Sequence, residues 1–142
     1  MFFEVTHMRR PWGEWWVVVH NKKEQYKVKK LRIRQGKSIS NQYHNYRDEY
    51  WIVVSGRGKV VTEGKELEIK KGDTFVFKRG EKHKVTCTSA HRKDPLVAIE
   101  VQLGEILDED DIVRLEPKET LYDKLTRPFK EAFFGGRNRS TE

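Results

Sequence analysis

Short apolar runs, each of a length suited to one strand, follow one another through residues 15–103 and are separated by glycine-containing turns. Within residues 26–34 the side chains divide into two faces by alternation, with Lys27, Lys29, Leu31 and Ile33 on one and Val28, Lys30, Arg32 and Arg34 on the other. Residues 50–55 are almost continuously apolar, which predicts a strand buried on both faces. Strands that recur about every ten residues indicate an all-β sandwich or barrel.

The length of 142 residues favours a single domain, which we place at residues 1–126, followed by a C-terminal tail over 127–142 that we predict to be mobile. No apolar run approaches the ~18 residues of a membrane span. The first residues lack the basic and apolar segments of a secretory signal, so we expect a cytoplasmic protein. The single cysteine, Cys87, cannot form an internal disulfide bond.

The formal net charge of +7 is spread unevenly along the chain. Residues 1–93 contain 22 Lys and Arg against 10 Asp and Glu, whereas residues 94–142 contain 7 against 12. A basic half can bind nucleic acid or a phosphorylated small molecule. Because the basic residues are scattered along predicted strands and form no single run, we expect no nucleic-acid partner.

Four polar residues near predicted strand ends form a candidate metal site: Gln42, His44, Glu49 and His83. Gln42 and His44 are two residues apart and therefore share one face of a strand. Their nitrogen and oxygen donors suit a divalent first-row ion, and such a site with open positions suits Lewis-acid chemistry. The alternative is that four polar residues lie near turns without a common role.

The glycines around these residues follow fixed spacings. Gly36 precedes Gln42 by five intervening residues, Glu49 precedes Gly56 by six, and Gly80 precedes His83 by two. This arrangement resembles the two-part signature of the cupin superfamily, with Gln42 in place of its first histidine, Lys78 in place of its proline and Cys87 in place of its closing asparagine. The resemblance implies an all-β fold with a single cupin barrel (a double-stranded β-helix or jelly roll), a short C-terminal extension, and Gln42, His44, Glu49 and His83 as metal ligands.

Further stretches narrow the resemblance to the type II mannose-6-phosphate isomerase domain, over roughly residues 9–117. They are Arg10-Pro11-Trp12-Gly13, Tyr26-Lys27-Val28-Lys29, the run from Glu49 to Gly56, Ile99-Glu100-Val101-Gln102 and the run from Leu107 to Arg114. In that family a glutamine is expected at the first ligand position. The domain usually forms the C-terminal part of bifunctional mannose-1-phosphate guanylyltransferase/isomerase enzymes. Since 142 residues leave no room for a nucleotidyltransferase domain, we expect no guanylyltransferase activity.

The family implies interconversion of mannose 6-phosphate and fructose 6-phosphate with a divalent metal. Zinc is the metal expected, with Mn, Co, Ni or Fe as alternatives. Such an isomerisation moves a proton between C1 and C2 through an enediol, which requires a base and a nearby cation. Arg114 and Glu100 resemble active-site residues of the isomerase families and are the predicted catalytic residues. The alternatives are a surface arginine that neutralises nearby acidic residues, and a solvated, outward-facing glutamate.

The substrate phosphate needs cationic partners, for which the candidates are Lys27, Lys29 and Lys78. The first two extend an inward face toward a barrel mouth, although lysines there can also reach out to water. We expect a sugar-phosphate substrate and a homodimer, with residues 15–19 as an apolar segment that can pack across subunits. The alternative function is a non-catalytic cupin that contains a metal and binds a sugar phosphate or a protein partner.

Overall fold

The computed structural model describes residues 5–108 and 111–115, which form strands connected by turns and loops. The strands are β1 (His7–Arg10), β2 (Gly13–Asn21), β3 (Tyr26–Ile33), β4 (Gln42–Tyr43), β5 (Arg47–Ser55), β6 (Arg57–Thr62), β7 (Lys65–Lys70), β8 (Thr74–Phe77), β9 (His83–Cys87), β10 (Leu96–Gly104) and β11 (Val113–Arg114). They make a six-stranded sheet in the order β1-β2-β3-β10-β5-β8 and a five-stranded sheet in the order β11-β4-β9-β6-β7. All the pairings are antiparallel.

The all-β fold predicted from the sequence is confirmed. The strand predicted from the 26–34 alternation is β3, whose Lys27, Lys29, Leu31 and Ile33 are all buried. The predicted tail, residues 127–142, lies outside the described residues. Within the described part of the chain, no helix has the length and apolar character needed to span a membrane.

The prediction that residues 50–55 are buried on both faces is wrong. In β5, Trp51 and Val53 face the core, whereas Ile52 and Val54 are 44% and 43% exposed. A strand in a sheet is buried on both sides only when another layer, such as a layer of helices, covers its outer face. The described residues contain no helix. The apolar outer face is therefore a surface of the six-stranded sheet, and the expected homodimer stays a prediction.

The inner faces of the two sheets enclose an aromatic and aliphatic core. Trp12, Trp15, Trp51 and Phe77 supply its largest side chains, all at 5% exposure or less. Cys87 is buried in the same cluster, where it packs as a small apolar side chain. This apolar region fills part of the barrel and leaves polar inward-facing residues in the remainder.

The register of the six-stranded sheet aligns its inward polar side chains. Glu100 on β10 lies opposite Lys29 on β3, and Gln102, two residues along β10, lies opposite Glu49 on β5. Residues two apart face the same side of a strand, so these four side chains all point into the barrel. All four are 4% exposed or less.

The five-stranded sheet contributes a second polar row. Gln42 on β4 is paired with Arg114 on β11 on one side and with His83 on β9 on the other. The two sheets face each other across the barrel, so this row meets the polar row of the six-stranded sheet. The junction of the two rows is the candidate site.

The turn between β5 and β6 depends on Gly56, whose φ of +83° lies in the left-handed region. A Cβ atom there would lie 2.2 Å from the main-chain oxygen of Pro95. We expect Gly56→Ala to lower the free energy of unfolding by about 3 kcal/mol, because backbone strain and a backbone clash add. Gly72 has a φ of +90° but no atom within 4 Å of its would-be Cβ, so Gly72→Ala should cost only about 1 kcal/mol. Urea unfolding of both variants measures the difference, and equal losses would contradict the role of the Pro95 contact.

Candidate metal centre and active site

His44, Glu49 and His83 converge inside the barrel. One nitrogen or oxygen atom from each lies within 4.8 Å of the others, and the side chains are 2%, 1% and 1% exposed. The Nε2 atom of His44 is 2.9 Å from Oε2 of Glu49, and the Nε2 atom of His83 is 3.5 Å from Oε1. Three potential ligand atoms from β5, β9 and the segment after β4 therefore share one small volume.

The orientation of His44 is fixed by the segment that precedes β11. His44 Nδ1 donates a hydrogen bond to the main-chain oxygen of Asp111 at 2.6 Å. The carboxylate of Asp111 accepts hydrogen bonds from the backbone N–H groups of Asn45 and Tyr46, both at 3.0 Å. Because Nδ1 must carry a proton to donate to a carbonyl, Nε2 is the nitrogen that can offer a lone pair to a cation.

His83 is held in the same manner by its own surroundings. Its ring stacks on Phe77 with centroids 4.0 Å apart, and its Nδ1 donates to the main-chain oxygen of Glu81 at 3.0 Å. The buried Nε2 atom has no hydrogen-bond partner among the described residues. Burial lowers the pKa of His83, against the opposing effect of Glu49, and so favours the neutral imidazole that a metal requires.

Gln42 reaches the cluster through its amide nitrogen. Its Nε2 lies 3.3 Å from Nε2 of His44, while its Oε1 accepts a hydrogen bond from Ser40 Oγ at 3.0 Å. A half-turn of the amide would present the oxygen to the cluster and allow the NH₂ group to donate to Ser40. The structure therefore brings Gln42 together with the other three predicted ligands, with the carbonyl oxygen turned toward Ser40.

Arg47 was not predicted from the sequence, yet it is part of this cluster. It is 2% exposed, and its Nε and Nη2 atoms lie 3.1 and 3.0 Å from Oε2 of Glu49. Burial by itself raises the pKa of Glu49, but its interactions with His44, Arg47 and His83 outweigh burial and hold that pKa well below its usual range. The signal in the sequence was the spacing, because Arg47 precedes Glu49 by two residues and therefore shares its face.

Glu100 faces inward and is buried, so the alternative of a solvated, outward-facing glutamate is wrong. Gln102 Nε2 donates a hydrogen bond to Glu100 Oε1 at 2.9 Å, as expected for neighbours on one strand face. Burial raises the pKa of Glu100 well above its usual range, and the adjacent Glu49 carboxylate adds to the rise while Lys29 opposes it. The protonated form of Glu100 is therefore more favoured than that of an ordinary carboxyl group.

A cavity of about 420 Å³, part of it open to solvent, adjoins the cluster. Its charged lining consists of Arg10, Lys29, Arg47, Glu100 and Arg114. Four basic side chains against one carboxyl group with a raised pKa make the cavity suited to an anion.

Aromatic side chains line the rest of the cavity, together with aliphatic ones. Trp12, Trp15 and Trp51 all contribute to the wall. The buried Nε1 atom of Trp12 has no hydrogen-bond partner among the described residues and can donate to a bound ligand. Lys29 Nζ lies 3.9 Å from the centroid of the Trp15 ring, which holds the ammonium group at the wall.

The remaining predicted residues have different surroundings. Lys27 is buried, but its Nζ donates to the main-chain oxygen of Leu107 at 2.8 Å and does not line the cavity. Lys78 is exposed, donates to the Tyr50 hydroxyl at 2.9 Å and also lies outside the cavity wall. The structure thus brings Lys29 and Arg114 to the cavity and leaves Lys27 and Lys78 away from it. Contacts with substrate stay predictions for all of them.

Two facing antiparallel sheets with a His/Glu/His cluster inside the barrel define a cupin. A family profile described as "Mannose-6-phosphate isomerase C-terminal" matches residues 3–117. The chain belongs to this family.

Curated relatives contain the domain as part of a longer chain. A mannose-1-phosphate guanylyltransferase from Salmonella montevideo is 35% identical over 116 residues, which covers 80% of this chain and 24% of the relative. The chain spans about a quarter of the length of the curated relatives it matches.

Solved structures share the fold at low sequence identity. A protein with a double-stranded β-helix domain from Klebsiella pneumoniae superposes with a TM-score of 0.60 at 19% identity, covering 72% of this chain and 83% of that one. A cupin from Silicibacter pomeroyi, described as a sugar phosphate isomerase, superposes with a TM-score of 0.50 at 23% identity, covering 56% and 50%.

Proposed function

We propose that the protein is a metal-dependent isomerase that interconverts mannose 6-phosphate and fructose 6-phosphate. The observation that carries this proposal is the position of the His44–Glu49–His83 cluster beside a cavity lined by Glu100 and four basic side chains. Membership of the mannose-6-phosphate isomerase C-terminal family supports the choice of substrate. The name of the Silicibacter cupin is consistent with the same class of reaction.

The residues fit a divalent metal. The Nε2 atom of His83 is a buried polar atom without a hydrogen-bond partner among the described residues, and it faces Glu49. His44 and His83 would supply imidazole nitrogens and Glu49 a carboxylate oxygen, a donor set that suits zinc and its neighbours in the first row. A metal bound there would supply Lewis acidity toward the oxygens on C1 and C2.

Glu100 is the group best suited to move the proton. An aldose–ketose isomerisation needs one group that takes a proton from one carbon and returns it to the other. Glu100 lines the cavity, and its raised pKa makes its protonated form available, so it can give a proton as well as accept one. Lys29, opposite Glu100 in the sheet, stabilises the carboxylate when the proton has left.

The basic residues of the wall would hold the phosphate and the developing negative charge. Arg114 on β11 and Arg10 at the end of β1 approach the cavity from different elements. A dianionic phosphate pairs well with guanidinium groups, which donate in a fixed fork. We expect Arg114→Ala to retain the metal and the fold and to lose turnover.

A coupled assay for conversion of mannose 6-phosphate to fructose 6-phosphate tests the proposal. It uses metal-loaded protein, the same protein after EDTA treatment, and the His44→Ala and Arg114→Ala variants. We expect turnover only in the metal-loaded, unmodified protein. Absence of turnover in protein that contains one metal ion per chain would overturn the isomerase and leave binding of a sugar phosphate as the remaining function.

A further inference from the structure

Arg47 is a permanently charged side chain in a place where charge needs a partner. It is 2% exposed, and a guanidinium group does not lose its proton in proteins. Its Nη1 donates to the main-chain oxygen of Asp108 at 3.3 Å, and its Nε and Nη2 hold Oε2 of Glu49. One partner of this buried cation is therefore a residue of the candidate metal centre.

Arg47 and a metal would both draw on the carboxylate group of Glu49. Oε2 of Glu49 lies 3.0 Å from Arg47 Nη2 and 2.9 Å from His44 Nε2. The same Nη2 atom lies 3.4 Å from His44 Nε2, the nitrogen that faces the cluster. A cation held by His44 and Glu49 would share its ligands with the guanidinium group, and like charges in a buried site repel strongly.

The cavity offers Arg47 a second type of partner. Arg47 is one of the basic residues of its wall, so the guanidinium group borders the space that a ligand would enter. An anionic group in that space can pair with Arg47 in the bidentate manner that guanidinium favours. Each hydrogen bond that Arg47 then makes to the ligand can replace one that it makes to Glu49.

We propose that Arg47 couples metal binding to the binding of an anionic sugar phosphate: the guanidinium competes with the metal for Glu49 when the cavity holds no anion, and turns to the anion when one binds. This inference rests on the proposed function for the choice of ligand. Its consequence is that metal and sugar phosphate strengthen each other's binding. By linkage, each must change the affinity of the other by the same factor.

The test measures metal affinity in the intact protein with and without a sugar phosphate. The probe is mannitol 1-phosphate, a six-carbon phosphate that has no carbonyl group and cannot be isomerised. Chelator-treated protein is titrated with Zn²⁺ in competition with a chromophoric chelator, and the probe is also titrated into the chelator and metal alone to correct for its own metal binding. We expect the probe to tighten Zn²⁺ binding about tenfold, a typical size for coupled sites.

The Arg47→Gln variant distinguishes competition between the guanidinium group and the metal from a purely structural role of Arg47. It removes the charge while keeping a side chain that can donate to Glu49. We expect this variant to bind Zn²⁺ about tenfold more tightly than the unmodified protein without the probe, and to respond to the probe less than twofold. Arg92→Gln removes the same charge from an exposed loop position and should leave both the affinity and the tenfold response unchanged.

The measurement on the unmodified protein can overturn the inference by itself, even if the Arg47→Gln variant does not fold. A Zn²⁺ affinity that the probe does not change, or an Arg47→Gln variant that keeps the full response, would show that Arg47 does not couple the two ligands. The turnover assay separates this failure from failure of the proposed function. Turnover without coupling would overturn the role of Arg47 alone, whereas coupling without turnover would support it in a protein that binds sugar phosphate and does not isomerise it.

Discussion

Replacement of Glu100 by glutamine is expected to lower turnover about 10²–10⁴-fold while making the metal-free protein more stable. Glutamine keeps the shape of the side chain and can still accept the hydrogen bond from Gln102, but it cannot carry a proton between two carbons. The metal ligands are untouched, so metal content should remain at one ion per chain. Initial rates in both directions, together with metal analysis, measure this part of the prediction.

The gain in stability follows from the raised pKa of Glu100. Between the unfolded value of 4.5 and the raised folded pKa, the unfolded chain ionises this carboxyl group more completely than the folded protein does, so the folded state binds more protons. The free energy of unfolding therefore falls as the pH rises from that value toward the folded pKa. Glutamine removes this dependence, and we expect a gain of roughly 1–2 kcal/mol at pH 8, the usual size of a favourable substitution.

Glu68→Gln is the matched control for Glu100→Gln, because Glu68 is an exposed glutamate on β7. Its turnover and its stability profile with pH should follow those of the unmodified protein. Turnover within about twofold of normal in Glu100→Gln would mean that another group moves the proton. A variant that is less stable than the unmodified protein at pH 8 would contradict the view of Glu100 as a carboxyl group that burial keeps neutral.

Replacement of His83 by alanine is expected to weaken metal binding at least 100-fold, since loss of even an outer-shell partner weakens a site about 10–100-fold. The buried ring stacks on Phe77, and its Nε2 atom is one of the three potential ligand atoms, so alanine removes one ligand from the proposed centre. Turnover should disappear with the metal. Metal content per chain after gel filtration, and the rise of Tm on addition of metal, measure the loss.

Two further variants make the His83 result specific. His83→Gln keeps much of the volume and distinguishes loss of a ligand from loss of packing against Phe77. His91→Ala removes an exposed histidine and should behave as the unmodified protein does. One metal ion per chain in both His83 variants would remove His83 from the metal centre. Because burial lowers the pKa of His83, protons should compete for this proposed ligand only at a lower pH than for an ordinary histidine.

The sequence predicted which face of a strand a side chain occupies better than it predicted which residues lie opposite it on the neighbouring strands. The alternation in β3 placed Lys29 inside the barrel, and the two-residue spacing on β10 paired Glu100 with Gln102. Neither pattern contains the strand register that sets Glu100 opposite Lys29. Register depends on turn geometry and on which strands become neighbours across the sheet, and these are properties of the whole barrel.

Local composition was misleading where burial depends on a partner. The apolar run 50–55 indicates two buried faces, but nothing in the described residues covers the side that carries Ile52 and Val54. Arg47 was missed for the opposite reason, because an arginine is usually exposed and its burial depends on Glu49 and Asp108. The sequence did contain one indication of this burial, because Arg47 lies two positions before the candidate ligand Glu49 and so shares its strand face.

The hydrogen bond from His44 to Asp111 also sets an order on events during synthesis of the chain. The two residues are 67 positions apart, and the carbonyl that holds the imidazole exists in place only after the chain has passed β10 and returned to β4. A growing polypeptide that contains the proposed ligands Gln42, His44, Glu49 and His83 therefore still lacks the acceptor that aligns His44. Full alignment of the proposed metal centre therefore has to wait until the segment that contains Asp111 has left the ribosome and docked beside β4.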